Sequence, residues 1–321
     1  MTDEIWVHRY VLRAGAALNS ASTRIEFPGA LLRVGDGFAA LHPWPEFGDA
    51  PLNEQLRILA DGGTTPLLDR TLHAAAVDGE ARRAGVSLFA GLSVPPSHYS
   101  WSFALPTRPQ IEFIQSKEFR AVKIKGFNNY GETTRFLDAT AKACPNLRLR
   151  ADFNGCLEPA GFRKFVEFMP LRMYRQMDLI EDPTPYDPAL WESVRNHWNV
   201  RLALDKGWQN GNGGFDVVVV KPARRDWRAV AARHPGVPLL LTSAMDHPLG
   251  QAWAAYESAL AWQELGDNLE LGGLITQHLF QKDAFSDKLG VDQGGTLTVD
   301  AQGTGLGFNE ELQTLPWERL R

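Results

Sequence analysis

The sequence predicts an α/β protein in which parallel strands alternating with helices close into a barrel, preceded by a smaller α+β unit. Three observations predict it. From about residue 99 onward, short apolar runs recur, most end in a polar residue, and helix-like segments separate them. Val217 to Val220 are consecutive β-branched residues with no alternation, as in a parallel strand buried on both faces. The first hundred residues lack that rhythm and read as a few strands followed by helices.

In order along the chain, residues 5–12 and 30–41 have strand-like patterning, broken by the turn signal Gly35-Asp36-Gly37. Two helices are predicted next, Leu52 to Ala60 and Pro66 to about Arg83, with Leu67, Leu68, Leu72, Ala75 and Ala76 on one face of the second. The recurrent runs are Arg120–Lys125, Leu147–Asp152, Met177–Glu181, Val200–Asp205, Asp216–Lys221 and Val237–Ser243. Tyr99–Leu105 reads as a first strand and Asn268–Gly273 as a last one. Between the runs the helical segments are Glu132–Ala143, Pro159–Phe168, Pro188–Trp198, Trp227–Arg233 and Gly250–Leu265. Eight parallel strands close into a barrel. Asp205 and Val217 are separated by eleven residues that include four glycines and two asparagines, which predicts an irregular connection rather than a crossover helix.

Composition narrows the function classes. With 321 residues, 44% hydrophobic and 22% charged, the chain has the make-up of a globular protein large enough for one barrel and a companion. A formal net charge of −5 and the absence of a Lys/Arg-rich run argue against a nucleic-acid partner. The acidic start Met1-Thr2-Asp3-Glu4 does not resemble a secretory leader, and no run approaches the ~18 apolar residues needed to cross a bilayer, so a cytoplasmic protein with no membrane partner is expected. Cys144 and Cys156 belong to no CxxC or Cys/His cluster and are expected to be free thiols that fill the core.

The polar residues that end the runs carry the chemistry. In a βα barrel the C-terminal strand ends share one rim, where catalytic residues gather. Here the rim receives Lys125, Asp152, Glu181, Asp205 and Lys221. One βα unit separates Asp152 from Glu181 and another separates Glu181 from Asp205, so the three acids belong to adjacent strands. Three carboxylates without His or Cys select a hard, oxygen-preferring cation, Mg²⁺ first and Mn²⁺ second. Lys123 and Lys125, two apart on a strand, share a face. A free lysine, pKa ~10.4, is a poor base near neutrality. Neighbouring cations and burial disfavour its charged form, so Lys123, Lys221 and the metal would make Lys125 usable as a general base. Acids, metal and lysine together suit proton abstraction beside a carboxylate.

At these residues the chain resembles the enolase superfamily, its muconate-lactonising-type subgroup and, most of all, the o-succinylbenzoate synthase family. Ala121-Val-Lys-Ile-Lys125 resembles the KxK strand, Asp152-Phe-Asn154 the DxN motif, Glu181-Asp182-Pro183 the acidic-acidic-Pro motif and Val220-Lys221-Pro222 the VxKP segment. The resemblance implies a (β/α)7β TIM-like barrel with an α+β N-terminal capping domain: residues 1–98, joined by the tail 290–321, as cap, and residues 99–289 as catalytic barrel. It implies Lys125 as acid/base, with Lys123 in the same strand, Lys221 as the opposing cation, and Asp152, Glu181 and Asp205 as metal ligands. Asn154 would support them. Thr242, Ser243 and Gly273 lie in segments similar to those that bind a substrate carboxylate. Two positions depart from the pattern: Ala39-Ala40 stands where the family often has Gly-Glu, and Lys206 follows the third acid where Glu is usual.

The implied reaction is dehydration of 2-succinyl-6-hydroxy-2,4-cyclohexadiene-1-carboxylate to 2-succinylbenzoate, a carbon–oxygen hydro-lyase step of menaquinone biosynthesis. The implied partner is a small-molecule carboxylate. N-succinylamino acid racemase or a related epimerase is the alternative, since Lys125 and Lys221 could serve as bases on two faces. A metal-free binding barrel is the non-enzymatic one.

Overall fold

The computed structural model describes residues 4–18, 22–101, 107–207, 209, 211, 213–299 and 303–321. The chain opens with strands β1 (Ile5–Arg13), β2 (Glu26–Val34) and β3 (Gly37–Leu41), paired antiparallel in sequence order. Val34 faces Gly37, so Gly35 and Asp36 form the two-residue loop that the sequence signalled, with Gly35 at φ 57°. Helices α1 (Leu52–Ala60) and α2 (Pro66–Arg83) follow at their predicted limits. Pro66 opens α2 and the Thr65 side chain accepts a hydrogen bond from the Leu68 amide.

The buried face of α2 differs from the prediction. Leu67, Leu68, Thr71, Ala74, Ala75 and Asp78 are buried, whereas Leu72 is half-buried and Ala76 is exposed. Asp78 anchors the buried face. It accepts from the amides of Phe38 (2.8 Å) and Leu306 (2.6 Å) and pairs with Arg82 at 2.5 Å, which compensates for taking a carboxylate out of water.

The second unit alternates strand and helix: β4 (Ser97–Trp101), α3 (Arg108–Ser116), β5 (Ala121–Lys125), α4 (Tyr130–Ala143), β6 (Arg148–Asp152), α5 (Pro159–Glu167), α6 (Leu171–Gln176), β7 (Met177–Glu181), α7 (Pro188–Trp198), β8 (Leu202–Leu204), β9 (Val217–Val220), α8 (Trp227–Arg233), β10 (Leu239–Leu241), α9 (Pro248–Leu265) and β11 (Gly272–Ile275). All eight strands are parallel, in the order β10-β9-β8-β7-β6-β5-β4-β11. Isolated parallel bridges Leu239↔Leu269 and Thr242↔Gly273 join β10 to the β11 side and close the ring. The predicted barrel is therefore present.

Several limits shift. The first strand starts two residues earlier than predicted, and residues 102–106 of the predicted run lie outside the described residues. Helices α3 and α6 were not predicted. The six residues of α6 are too few for a helical period to register. The last strand is Gly272–Ile275 rather than Asn268–Gly273, because Gly266–Asn268 form a 3₁₀ turn. Gly272 and Gly273 belong to the strand because the ring is tight there: a Cβ on Gly273 would lie 2.6 Å from Thr242 Oγ1 and 2.8 Å from His98 Nε2. Among the described residues between β8 and β9 there is no α-helix, as the glycines predicted.

Inside the barrel the sides differ. Leu179, Ala203, Val217, Val219 and Leu240 make an apolar cluster. Beside it the fully buried Arg150 donates to Asp178 (2.7 Å), to the Leu271 carbonyl (2.5 Å) and lies 3.1 Å from His98 Nδ1. Beyond β11 come β12 (Leu289–Asp292) and β13 (Thr296–Val299), an antiparallel pair, then α10 (Asn309–Gln313) and β14 (Glu318–Arg319), which pairs antiparallel with β1. Helix α9 packs against both β3 and β11. No described helix is long and apolar enough to cross a membrane, and Cys144 and Cys156 are not joined in a disulfide.

Candidate active site

The strand ends deliver the predicted residues to one rim. Lys125, Asp152 and Glu181 are the last residues of β5, β6 and β7; Asp205 and Lys221 each follow the last residue of β8 and β9. The register sets Lys125 beside Asp152 and Asp152 beside Glu181. Strands β5 and β9 stand four places apart in the ring of eight, so Lys125 and Lys221 reach the centre from opposite sides.

The carboxylates are buried: Asp152 is 1% exposed, Glu181 4% and Asp205 8%. Lys123 bridges two of them, 3.1 Å from Asp152 and 3.0 Å from Glu181. Lys125 pairs with Asp152 at 2.5 Å, and Lys221 with Asp205. Burial alone would raise the pKa of Asp152, but the charges of Lys125 and Lys123 outweigh it and hold this carboxyl well below the usual range. Burial likewise opposes the charge of Lys123, and Glu181 and Asp152 overcome it, so its ammonium is held charged. Asp205 reaches about 2, because Lys221 and Arg225 offset its burial. Glu181 goes the other way: burial raises it, and the charges of Asp152 and Asp205 add to the effect. Asp182 is raised well above its ordinary value by burial and by Asp205 and Glu181.

With the ammonium groups on these oxygens, the described residues contain no three acid, His or Cys side chains gathered closely enough to hold an ion. The donor set nevertheless fits one. Three anionic oxygen donors from adjacent strands repel one another in a buried place, which is the chemistry a hard divalent cation relieves. The side-chain nitrogen of Asn154, Nδ2, is buried without a hydrogen-bond partner, while its amide donates to Asp152 at 3.0 Å.

A cavity of about 40 Å³ lies in front of this cluster, walled by Lys123, Lys125, Asp152, Asn154, Asp205 and Lys221. Thr242 and Ser243 also line it. Gly273 does not; it stands behind them, its carbonyl accepting from Thr242 Oγ1 at 2.7 Å and from the Ser243 amide at 3.0 Å. Glu181 also lies outside the wall, behind Lys123. Leu18, Ser100, Trp101 and Thr276, which the sequence did not single out, line it too, together with Phe47, Met245 and Leu279. Ser100 could have been found from period-2 alternation, since His98 and Ser100 share one face of β4. Trp101 is 2% exposed and carries no comparable signal. Asn154 (φ 52°), Asp182 (φ 40°) and Met245 (φ 52°), all just beyond barrel strands, hold left-handed backbone, a strain that clusters at functional sites.

Residues 5–81 match the family model described as O-succinylbenzoate synthase, N-terminal domain. The chain is 31% identical over 326 residues to the o-succinylbenzoate synthase of Bdellovibrio bacteriovorus, covering 97% of each chain. Among solved structures it is similar to a mandelate racemase/muconate lactonizing protein from Herpetosiphon aurantiacus, with TM-score 0.72, 17% identity and coverage of 95% of this chain and 98% of that one. It is also similar to a dipeptide epimerase from Enterococcus faecalis V583 complexed with Mg and the dipeptide L-Leu-L-Tyr, with TM-score 0.73, 13% identity and coverage of 95% and 98%. The two structural likenesses speak for the fold alone.

Proposed function

The chain belongs to the o-succinylbenzoate synthase family of the enolase superfamily, and we propose that it removes water from 2-succinyl-6-hydroxy-2,4-cyclohexadiene-1-carboxylate to give 2-succinylbenzoate. It is then a carbon–oxygen hydro-lyase. The observation that carries the reading is that Lys125 and Lys221 enter one small cavity from opposite sides, each resting on a buried carboxylate. Residues 99–289 would supply this catalytic barrel, and residues 1–98 with 290–321 its cap.

Asp152, Glu181 and Asp205 would hold a divalent cation, Mg²⁺ first and Mn²⁺ second. When bound, it supplies positive charge against the negative charge that develops on the substrate carboxylate. Lys125, acting as a neutral amine, would take the proton on the carbon beside the substrate carboxylate. The C–H electron pair forms the new ring double bond as the carbon–oxygen bond to the hydroxyl breaks. The proton held on Lys125 Nζ goes to that departing hydroxyl, so one water leaves. Lys221 faces the ring from the other side as a fixed cation. Lys123 stays charged and orients Asp152 and Glu181. Ser243 would turn its hydroxyl to a substrate carboxylate, while Thr242, whose hydroxyl donates to the Gly273 carbonyl, would hold that wall in place. A cytoplasmic step in menaquinone synthesis is the setting proposed.

The test is conversion of the cyclohexadiene carboxylate by the purified protein with Mg²⁺, followed as 2-succinylbenzoate formed. Chelation should abolish it. A second reading, racemisation of N-succinylamino acids, draws on the same pair of opposed lysines. It predicts exchange of the α-hydrogen in D₂O, and the absence of exchange would remove it.

A further inference from the structure

The small cavity before the acids has room for little more than a water-sized group, so an organic substrate must place most of its bulk elsewhere. Phe47, Asp205, Lys221 and Met245 wall that cavity and also a second, outer one of about 300 Å³, which is the size of a small ligand pocket. The outer cavity is cationic: besides Lys221 it is lined by Lys206, Arg224 and Arg225.

These cations are not equivalent. Arg224 grips Asp49 with both terminal nitrogens, one at 2.8 Å. Arg225 donates to the Asp205 carbonyl at 2.7 Å, and Lys221 is paired with Asp205. Of the two acids that line the outer cavity, Asp205 is paired with Lys221 and Glu46 is taken by Arg24 at 2.9 Å. Lys206 differs: among the described residues it has no carboxylate partner. Its Nζ donates to the Asn154 carbonyl at 3.1 Å and lies 4.6 Å from the centre of the Phe47 ring. A carbonyl and an aromatic face position an ammonium without neutralising it. Asn154 and Phe47 are both walls of the inner cavity, so this charge sits at the junction of the two cavities.

We propose that Lys206 is a specificity-determining residue that binds a second, distal carboxylate of the substrate, which makes the site selective for dicarboxylates. The inference rests on the dehydration reading, whose substrate carries one carboxylate beside the reacting carbon and another at the end of its succinyl tail. The first would face the three acids and the Ser243 hydroxyl; the second reaches Lys206 in the outer cavity.

The experiment compares 2-succinylbenzoate with 2-butanoylbenzoate, in which a methyl replaces the distal carboxylate. Binding of each is measured by calorimetry in Mg²⁺ for the wild type, Lys206→Met and Lys206→Arg. A charge-assisted contact predicts that the wild type prefers 2-succinylbenzoate by about tenfold or more. In Lys206→Met the preference should fall to within about twofold while 2-butanoylbenzoate still binds, and Lys206→Arg should restore most of it. A wild-type preference retained in Lys206→Met overturns the assignment. So does loss of both ligands in that variant together with an Arg variant that restores neither. A wild type that forms product yet shows no preference overturns Lys206 alone. A wild type that neither forms product nor binds either benzoate overturns the dehydration reading, and the assignment with it.

Discussion

Lys123 holds its ammonium between Asp152 and Glu181, with 9% of the residue exposed. Removing one partner of a buried ion pair strands the other charges. Lys123→Met should therefore lose about 3–5 kcal/mol of stability in urea unfolding without metal. Mg²⁺ should recover part of that loss, because it supplies the missing charge, and should stabilise this variant more than the wild type. Asp246 offers a pH test away from the metal cluster. It is 1% exposed, its Oδ1 has no hydrogen-bond partner, and burial pushes its carboxyl up to about 7. The folded state then keeps a proton that the unfolded state releases near pH ~4. Stability from this group is full below that pH and is lost as the pH rises towards 7. Asp246→Asn should remove the decline, gaining on the wild type by about 3–4 kcal/mol between pH 4 and 8 in denaturation curves. At this scale the sequence was legible where a polar residue ends an apolar run, as at Lys125, Asp152 and Lys221. It was silent on Arg150 and His98, whose burial depends on partners far along the chain.

At the scale of elements, periodicity located α1, α2, α7 and α8 at the limits observed, because capping residues such as Thr65 and Asp187 agree with the apolar pattern. It failed on α6 through shortness. It failed on α3 although Thr107 and Gln110 form a capping box. Tertiary partners anchor the buried face of α2. Asp78 ties that helix to β3 through Phe38 and to the returning tail through Leu306. Asp78→Ala should leave both amides and Arg82 without their acceptor and cost about 3 kcal/mol or more. The tail should open first, so amide exchange at Leu306 should accelerate more than at Leu204 or Val219 in the barrel core.

For the whole molecule, eight parallel strands bring five charged residues, separated by up to 96 positions between Lys125 and Lys221, to one rim. Strand alternation made that rim readable, and the eight parallel strands it implies are present. What the pattern left unread is the contact of Leu18 and Phe47, from the first fifty residues, with the barrel's cavity, since no local periodicity encodes it. In the proposed dehydration at this rim, Lys125 moves the proton. The measurement that bears on it most directly is the rate of 2-succinylbenzoate formation with saturating Mg²⁺ by the wild type and by Lys125→Ala, both checked for native circular dichroism. The prediction is product from the wild type and a rate about a thousandfold or more lower in the variant. A folded, metal-loaded wild type that forms no product, or a Lys125→Ala variant as fast as the wild type, would contradict it.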